Sequence, residues 1–217
     1  MRILVTDLTG LRDLSGLDEI SATIPPSPSD ELLRSGGHNL VEEYVHVVRE
    51  ASLHPGSEVL ELATGTGRMT AVLTRLGFRV RSGDIADENK NQVWQRVLPE
   101  FAANVELMLL DMRNLPFKSG SVRAITCMNT LHELADPGAC LEEILRIHDR
   151  SGVLLLGDFN DTGFETMQNV HRTLHGNNHP RGLMKISEAE PFVRSHYSNV
   201  KVVLTPLNIS LIASGKK

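Results

Sequence analysis

The stretch VLELATGTGRMT, residues 59–70, decides how this chain folds. Its apolar first half predicts a buried strand, and the small residues at 63–67 leave no bulk where the backbone has to turn sharply and approach a ligand closely. A helix is expected over residues 68–76, with Gly77 ending it, and the free amides at a helix start can bind a carboxylate or phosphate. The stretch therefore predicts a strand, a ligand-binding loop and a helix that together can hold a charged nucleoside.

Two other nucleotide-binding loops fit this stretch less well. A Walker loop needs a Gly-Lys-Ser/Thr sequence, which is missing here. A dinucleotide loop places a third Gly or Ala three positions after Gly67, where this chain has Thr70, and its strand rarely carries an acid such as Glu61. A nicotinamide-dependent oxidoreductase therefore stays open as an alternative, but it is disfavoured.

Composition restricts the class of protein. The chain has 217 residues, 41% of them hydrophobic, and it has no apolar run near the roughly 20 residues of a membrane span, so we expect one soluble domain. The N-terminal residues have the wrong flanks for a secretory signal, which predicts a cytoplasmic protein. A net charge of −5, with no basic run beyond Lys216-Lys217, disfavours nucleic acid as a partner. Cys127 and Cys140 are expected to be buried, reduced thiols.

Strands and helices alternate along most of the chain. Strands are expected at 59–63, 78–84, 105–110, 122–128 and 152–158, and helices at 38–53, 68–76, 88–98 and 137–149. Two last strands, 200–205 and 208–213, are separated only by Pro206-Leu207 and must form an antiparallel hairpin. This order predicts an α/β fold with a Rossmann-like, doubly wound, mostly parallel sheet of seven strands.

The regions outside this alternation carry weaker signals. Residues 1–34 are interpreted as an N-terminal appendage, and the prolines of Ile24-Pro-Pro-Ser-Pro-Ser favour an extended linker, so the main domain is placed at 35–217. In the helix at 38–53 the acidic residues, Glu43 among them, fall mainly off the apolar face. Ser187 and Glu190 are expected to form a capping box at the start of a late helix.

Four motifs resemble, in their order, those of the class I S-adenosylmethionine-dependent methyltransferases, in the branch with small-molecule-type methyltransferase domains. The resemblance covers about residues 38–215. The motifs are Glu61-Leu-Ala-Thr-Gly-Thr-Gly67, Val80-Arg-Ser-Gly-Asp-Ile85, Leu110-Asp-Met-Arg-Asn-Leu-Pro-Phe117 and Met128-Asn-Thr-Leu-His-Glu-Leu-Ala-Asp-Pro137. Ala63 stands where the family usually has its first glycine, and Glu133 stands in place of a second His. The C-terminal hairpin also suits this family.

The resemblance implies that S-adenosylmethionine is the cofactor. Asp84 would bind the ribose hydroxyls, Ile85 would contact adenine, and Asp111 with the backbone amide of Met112 would bind the adenine edge. Glu61 would interact with the cofactor's ammonium group, directly or through water, or would cap neighbouring backbone amides. The expected cofactor-binding residues are Glu61, Ala63, Thr64, Gly65, Thr66, Gly67, Asp84, Ile85, Asp111, Met112 and Asn129.

The resemblance also implies direct, in-line methyl transfer, which mainly needs an acceptor that is positioned and desolvated. A base is required only where the nucleophile must lose a proton, and the candidates are His132, Glu133 and Asp158, although such residues are also common helix caps and loop hydrogen bonders. The chain lacks the Asn-Pro-Pro-Tyr motif of many adenine or glutamine N-methyltransferases, its two cysteines disfavour an arsenite-type acceptor, and its acidic balance disfavours RNA. We therefore expect a small metabolite as the acceptor. A non-catalytic module that keeps the cofactor fold and regulates a partner is the second alternative.

Three histidines at four-residue spacing, His171, His175 and His179, raise the possibility of a metal site. The helix is not expected to continue through Gly176-Asn-Asn-His-Pro180, so the third imidazole should leave the shared face. We therefore expect no metal here, and we interpret this region as a solvent-exposed or lid-forming loop beside the ligand.

Overall fold

The computed structural model describes residues 17–54 and 56–217, which form one seven-stranded sheet flanked by helices. The strands are β1 (Glu58–Leu62), β2 (Arg79–Asp84), β3 (Val105–Leu109), β4 (Val122–Met128), β5 (His148–Phe159), β6 (Tyr197–Leu204) and β7 (Asn208–Lys216). The α-helices are α1 (Leu17–Ala22), α2 (Pro28–Ser35), α3 (Leu40–Glu50), α4 (Arg68–Arg75), α5 (Lys90–Val97), α6 (Pro137–Ile147), α7 (Asp161–His175) and α8 (Ile186–His196). The apolar start of the chain, residues 1–16, lies outside the described residues.

The strand order is β3-β2-β1-β4-β5-β7-β6, and only β7 runs antiparallel to its neighbours β5 and β6. The predicted fold class, including the C-terminal hairpin, is confirmed. The strands β1, β2 and β3 are added toward one edge of the sheet, and β4 and the later strands lie on the other side of β1. Ligands of open parallel sheets bind outside the carboxyl ends of the strands at such a switch point.

The strands bury residues on both faces because alternate side chains point to opposite sides of the sheet. Val59 and Val80 pack with α3 and α4 in one apolar cluster, whereas Leu60 and Leu62 pack with α6 and α8 in another. A third, smaller cluster joins α2 and α7 to the end of β5. Both cysteines are buried and free, Cys127 in β4 and Cys140 in α6, as predicted.

Glu43 of α3 is buried, although the sequence placed it off the apolar face. Its carboxylate accepts hydrogen bonds from Thr205 Oγ1, from Asn208 Nδ2 at 2.7 Å and from the Leu207 backbone amide at 3.3 Å. Burial raises the pKa of Glu43, against these three hydrogen bonds. The amphipathic pattern of α3 could not show this, because the partners lie in the distant turn between β6 and β7.

The prediction of an extended linker at residues 24–29 is wrong from Pro28 onward. Pro28 occupies the first turn of α2, where a missing N–H costs nothing, and Ser27 and Asp30 form a capping box before it. Asp30 also accepts from Arg68 at 2.7 Å and from Arg96 at 2.6 Å, which ties α2 to α4 and α5. The division of the chain at residue 34 stays a prediction, although Leu33 of α2 packs in the α2–α7 cluster.

The start of α8 also differs from the prediction. Glu188, not Glu190, accepts the backbone N–H at the helix start, which is that of Lys185 at 2.7 Å. Glu190 instead pairs with Arg194 one turn later, at 2.7 Å. Among the residues that the structure describes, no helix is both long and apolar enough to cross a membrane.

Candidate functional site

A cavity of about 540 Å³ opens at the carboxyl ends of β1, β2 and β4. All the expected cofactor residues line it except Gly67, and so does Glu133. His132 and Asp158 lie behind its wall, and both are almost fully buried. The structure therefore brings residues from all four motifs to one place.

The loop after β1 turns through three left-handed residues, Ala63 (φ 61°), Gly65 (φ 50°) and Gly67 (φ 79°). A Cβ on Gly65 would meet no atom within 4 Å, so the loop backbone faces open space there. A Cβ on Gly67 would lie 2.9 Å from the backbone of Val93 in α5. Gly67 thus shapes the loop and lets α5 approach, whereas Gly65 faces the cavity.

Asp84, at the end of β2, is held by backbone amides. Its Oδ2 accepts from the Gly65 amide at 2.7 Å, and its Oδ1 accepts from the Ile85 amide at 2.7 Å. Each carboxylate oxygen can accept more than one hydrogen bond, so both can still bind a hydroxyl group. The carboxylate is thereby fixed in place at the cavity wall before a ligand binds.

Residues after β2 and β3 form another part of the cavity wall, where adenine was expected. The Ile85 side chain is 70% exposed, which is unusual for a large apolar residue beside a cavity. Asp111 forms an ion pair with Arg113 at 2.7 Å, and the hydrogen bonds from Arg113 lower the Asp111 pKa to about 2. Met112 beside it is buried. An ionised acceptor and an exposed apolar surface are thus available for a flat, polar-edged ring.

Glu61 is buried at the end of β1. Its Oε2 accepts from Thr70 Oγ1 at 2.6 Å and from Ser82 Oγ at 2.7 Å. Burial raises the Glu61 pKa to about 7, although both hydrogen bonds act to lower it. A nearby cation would stabilise the charged form, so this carboxylate suits an ammonium group.

Asn129 follows β4 in a left-handed conformation, with φ 53°. Its Nδ2 donates to the Tyr44 hydroxyl at 2.9 Å, whereas its Oδ1 is buried without a hydrogen-bond partner. Tyr44 and Arg68 also line the cavity, although neither lies in a motif position that predicts ligand binding. Tyr44 lies on the apolar face of α3, and in the sequence an aromatic ring at such a position looks like an ordinary core residue.

His132 and Asp158 form a buried pair. Asp158 Oδ1 lies 2.7 Å from His132 Nδ1, and Oδ2 accepts the His132 backbone amide at 3.0 Å. On the other side of the ring, His132 Nε2 lies 3.6 Å from Glu133 Oε1. Burial alone would lower the His132 pKa, but the hydrogen bond to Asp158 and the nearby carboxylate of Glu133 raise it to about 9.

The histidines near the end of α7 line the opposite wall of the cavity. The helix ends at His175, as expected, but His179 turns back and its ring centroid lies 4.4 Å from that of His171. His179 is buried and also lies 4.9 Å from the His132 ring. The spacing of the histidines in sequence could not show the approach of His179 to His132.

The residues present fit S-adenosylmethionine. The cavity combines a carboxylate for hydroxyl groups, a buried acid for an ammonium group, an exposed apolar side chain and the unpaired Oδ1 of Asn129. No Cβ fills the space beside Gly65, where the loop backbone approaches the cavity.

Comparisons with known proteins agree with this site. A family described as "Methyltransferase domain" matches residues 60–156. The chain is 25% identical over 146 residues to a ubiquinone/menaquinone biosynthesis C-methyltransferase of Shewanella pealeana, covering 65% of this chain and 57% of that protein. It is 29% identical over 143 residues to a demethylmenaquinone methyltransferase of Clavibacter sepedonicus, covering 66% and 56%. The matches thus span a little over half the length of these relatives.

Among solved structures, a S-adenosylmethionine-dependent methyltransferase of Aquifex aeolicus is 20% identical to this chain, with a TM-score of 0.62. The superposition covers 91% of this chain and 97% of that one, which supports the fold. The sheet order, the four motifs and the family match agree, and they identify S-adenosylmethionine as the cofactor. The chain therefore carries a methyltransferase domain, matched over residues 60–156, with the fold of a S-adenosylmethionine-dependent methyltransferase.

Proposed function

We propose that this protein transfers a methyl group from S-adenosylmethionine to a small aromatic acceptor of the quinol class, at a ring carbon. The observation that carries the proposal is the continuity of one cavity, which is lined by the proposed cofactor residues and also by apolar side chains, three histidines and the carboxylate of Glu133. When bound, S-adenosylmethionine supplies a methyl group that is already activated on a sulfonium. The protein has to position the acceptor and exclude water.

The cofactor side would hold its ligand through residues that are already fixed. Asp84 would accept the ribose hydroxyls, Glu61 would accept the ammonium group, and Asp111 with the Met112 amide would bind the adenine edge. The backbone at 63–67 would contact the amino-acid part of the cofactor. Asn129 Oδ1, which is buried and unpaired, is one further acceptor on this side.

The acceptor side favours an apolar ring. Leu134, Phe159, Met167, Val170 and Leu174 line it, and Phe159, Met167 and Val170 are buried. A flat aromatic ligand gains free energy from such a wall in proportion to the apolar area that it buries.

Glu133 would act as the base. A ring carbon becomes nucleophilic when a neighbouring ring hydroxyl loses its proton, so carbon methylation of a quinol needs a proton acceptor near the ring. Glu133 lines the cavity with half of its side chain exposed, and the nearby imidazole of His132 lowers its pKa, so it is ionised at neutral pH. Asp158 would position His132, which in turn positions Glu133.

The curated relatives support the acceptor class, because their names describe methyltransferases of quinone biosynthesis. The test has two stages. Calorimetric titration should show micromolar binding of S-adenosylmethionine and S-adenosylhomocysteine, and Asp84→Ala should weaken it by about 1–3 kcal/mol through lost hydrogen bonds. Methyl-labelled cofactor and a naphthoquinol lacking a ring methyl should then give a product labelled on carbon. Labelling on oxygen would reject the carbon assignment, and tighter binding of NAD would reject the methyltransferase function.

A further inference from the structure

Four buried ring nitrogens at the acceptor side of the cavity have no hydrogen-bond partner in the structure. They are His132 Nε2, His171 Nδ1 and both ring nitrogens of His179. The His179 ring lies between the other two, with centroid distances of 4.9 Å to His132 and 4.4 Å to His171. Buried polar atoms are almost always hydrogen-bonded, so unpaired imidazoles gathered in one wall indicate a missing ligand.

Glu133 adds a carboxylate to these imidazoles. One ligand atom from each of His132, Glu133 and His179 lies within 4.8 Å of the other two. His132 Nε2 and Glu133 Oε1 are 3.6 Å apart, which is close to the separation of two ligands bound to one zinc ion at the usual bond lengths of about 2 Å. The Glu133 side chain is 53% exposed, so its carboxylate is free to adjust.

We propose that His132, Glu133 and His179 bind one divalent transition-metal cation at the wall of the cavity. Two imidazoles and one carboxylate form a donor set that zinc and its first-row neighbours accept, and catalytic sites of this type keep a further position for water or substrate. Glu133 and His179 line the cavity, so the open position of the cation faces it.

The groups around His132 already orient it as a metal ligand. Asp158 binds its Nδ1 at 2.7 Å, which leaves Nε2 to point toward Glu133. Phe159 and Phe164 pack against the ring at centroid distances of 5.6 and 5.1 Å, so the ring is held from two further sides. A carboxylate behind the ligating imidazole is the usual arrangement in metal sites. When the cation binds Nε2, a proton on this nitrogen passes to solvent.

This inference extends the proposed function to the means by which the acceptor is activated. A quinol oxygen in the open position of the cation would lose its proton more readily, because a bound cation stabilises the oxyanion. With the cation bound, Glu133 would hold the cation and would no longer take the proton itself, which would pass to a solvent molecule. The cation binds whether or not an acceptor has been identified, so its binding can be tested by itself.

Tag-free, chelator-treated protein is titrated with Zn²⁺, and binding is measured by calorimetry. A second titration uses Co²⁺, whose visible absorption changes when protein side chains coordinate it. We expect one cation per chain with micromolar or tighter affinity. Glu133→Gln, which keeps the shape of an exposed side chain, and His179→Ala should each weaken Zn²⁺ binding at least about tenfold. His175→Ala is the control, because it removes an exposed imidazole from the same wall without removing one of the three ligands.

Circular dichroism and thermal unfolding confirm that each variant is folded before its titration is interpreted. Absence of saturable metal binding to the wild-type protein would overturn the proposal. Equal affinities of the wild type, Glu133→Gln and His179→Ala would also overturn it, because they would place the cation elsewhere. S-adenosylmethionine is titrated into the same metal-free protein. If the cofactor binds and the metal does not, only the metal site is rejected. If the metal binds and the cofactor does not, only the proposed function is rejected.

Discussion

At the scale of single residues, the charge on Glu61 favours binding of a cationic ligand but lowers the stability of the free protein. Burial raises its pKa to about 7, from an ordinary value of 4.5. The folded protein therefore binds a proton more readily than the unfolded chain does, and the free energy of unfolding falls as pH rises from about 4.5 to about 7. A charge that is costly in the free protein becomes favourable when a cationic ligand is beside it.

We therefore expect Glu61→Gln to stabilise the free protein at pH 8 and to weaken S-adenosylmethionine binding at the same pH. The gain in unfolding free energy is at most about 3 kcal/mol, from 1.36 kcal/mol for each pKa unit, and it should vanish near pH 4. Urea denaturation of both proteins from pH 4 to 8 measures the first effect, and calorimetry measures the second. A variant that is more stable but binds the cofactor as tightly as the wild type would show that Glu61 only caps Thr70 and Ser82.

Ala63 and Gly67 lie in the same loop, and substitutions at the two positions should have opposite effects. Ala63 has φ 61°, a conformation that costs a residue with a Cβ about 1–2 kcal/mol, so Ala63→Gly should be neutral or stabilising by up to about 1 kcal/mol after its entropy cost. Gly67→Ala should be destabilising, because the new Cβ would lie 2.9 Å from the Val93 backbone in addition to the strained φ. Urea denaturation measures both changes. Loss of stability in both variants would contradict our interpretation of Ala63.

At the scale of the elements, a single buried carboxylate ties α2 to α4 and α5. Asp30 binds the guanidinium groups of Arg68 and Arg96, and all three side chains are buried or nearly so. Burial acts to raise the Asp30 pKa, but the two arginines outweigh it and lower the pKa to about 2. Removing one partner of such a group leaves the others buried without compensation.

Asp30→Asn should therefore lower the free energy of unfolding by about 3–5 kcal/mol at neutral pH. Because the folded pKa of Asp30 lies below its unfolded value of 3.8, its contribution is present above about pH 4 and is lost as pH falls toward 2. The difference between the wild type and the variant should shrink over this range. Asp161→Asn is the control, since the Asp161–Lys185 pair is exposed and should contribute little. Similar losses in both variants would contradict the anchoring role of Asp30.

The same contacts explain which elements could be predicted from sequence. The strands and the helices between them follow from periodicity, because each element buries a regular face. The helix α2 was not predicted, because the prolines before it favour an extended chain, although Ser27, Pro28 and Asp30 together are a local signal of a helix start. What the sequence could not show is its anchor, which joins Asp30 to arginines 38 and 66 positions away. The residues proposed to bind the cofactor could be selected from the sequence, since they lie in short motifs at strand ends. The acceptor side could not be predicted in this way, because the contact between His132 and His179 depends on how the segment after α7 returns to the sheet.

At the scale of the whole molecule, a long-range contact holds one wall of the cavity in place. Gly182, in the segment 176–185 between α7 and α8, has φ 57° and packs against the backbone of His132. A Cβ at this position would lie only 1.6 Å from the His132 carbonyl oxygen. The segment that carries His179 is thus held to the end of β4 by a contact that only glycine permits.

Gly182→Ala should therefore release this segment from the cavity wall, and Gly176→Ala provides the matched control. Gly176 has φ 70°, so alanine suffers similar backbone strain there, but its Cβ would meet no atom within 4 Å. We expect faster amide hydrogen exchange over residues 177–185 in Gly182→Ala than in Gly176→Ala, because a displaced segment loses its protecting contacts. S-adenosylmethionine affinity should change little, since the cofactor residues lie on the other side of the cavity, whereas methyl transfer should fall as water enters. Equal exchange in the two variants would mean that the segment closes the cavity through its own conformation and not through the contact with His132.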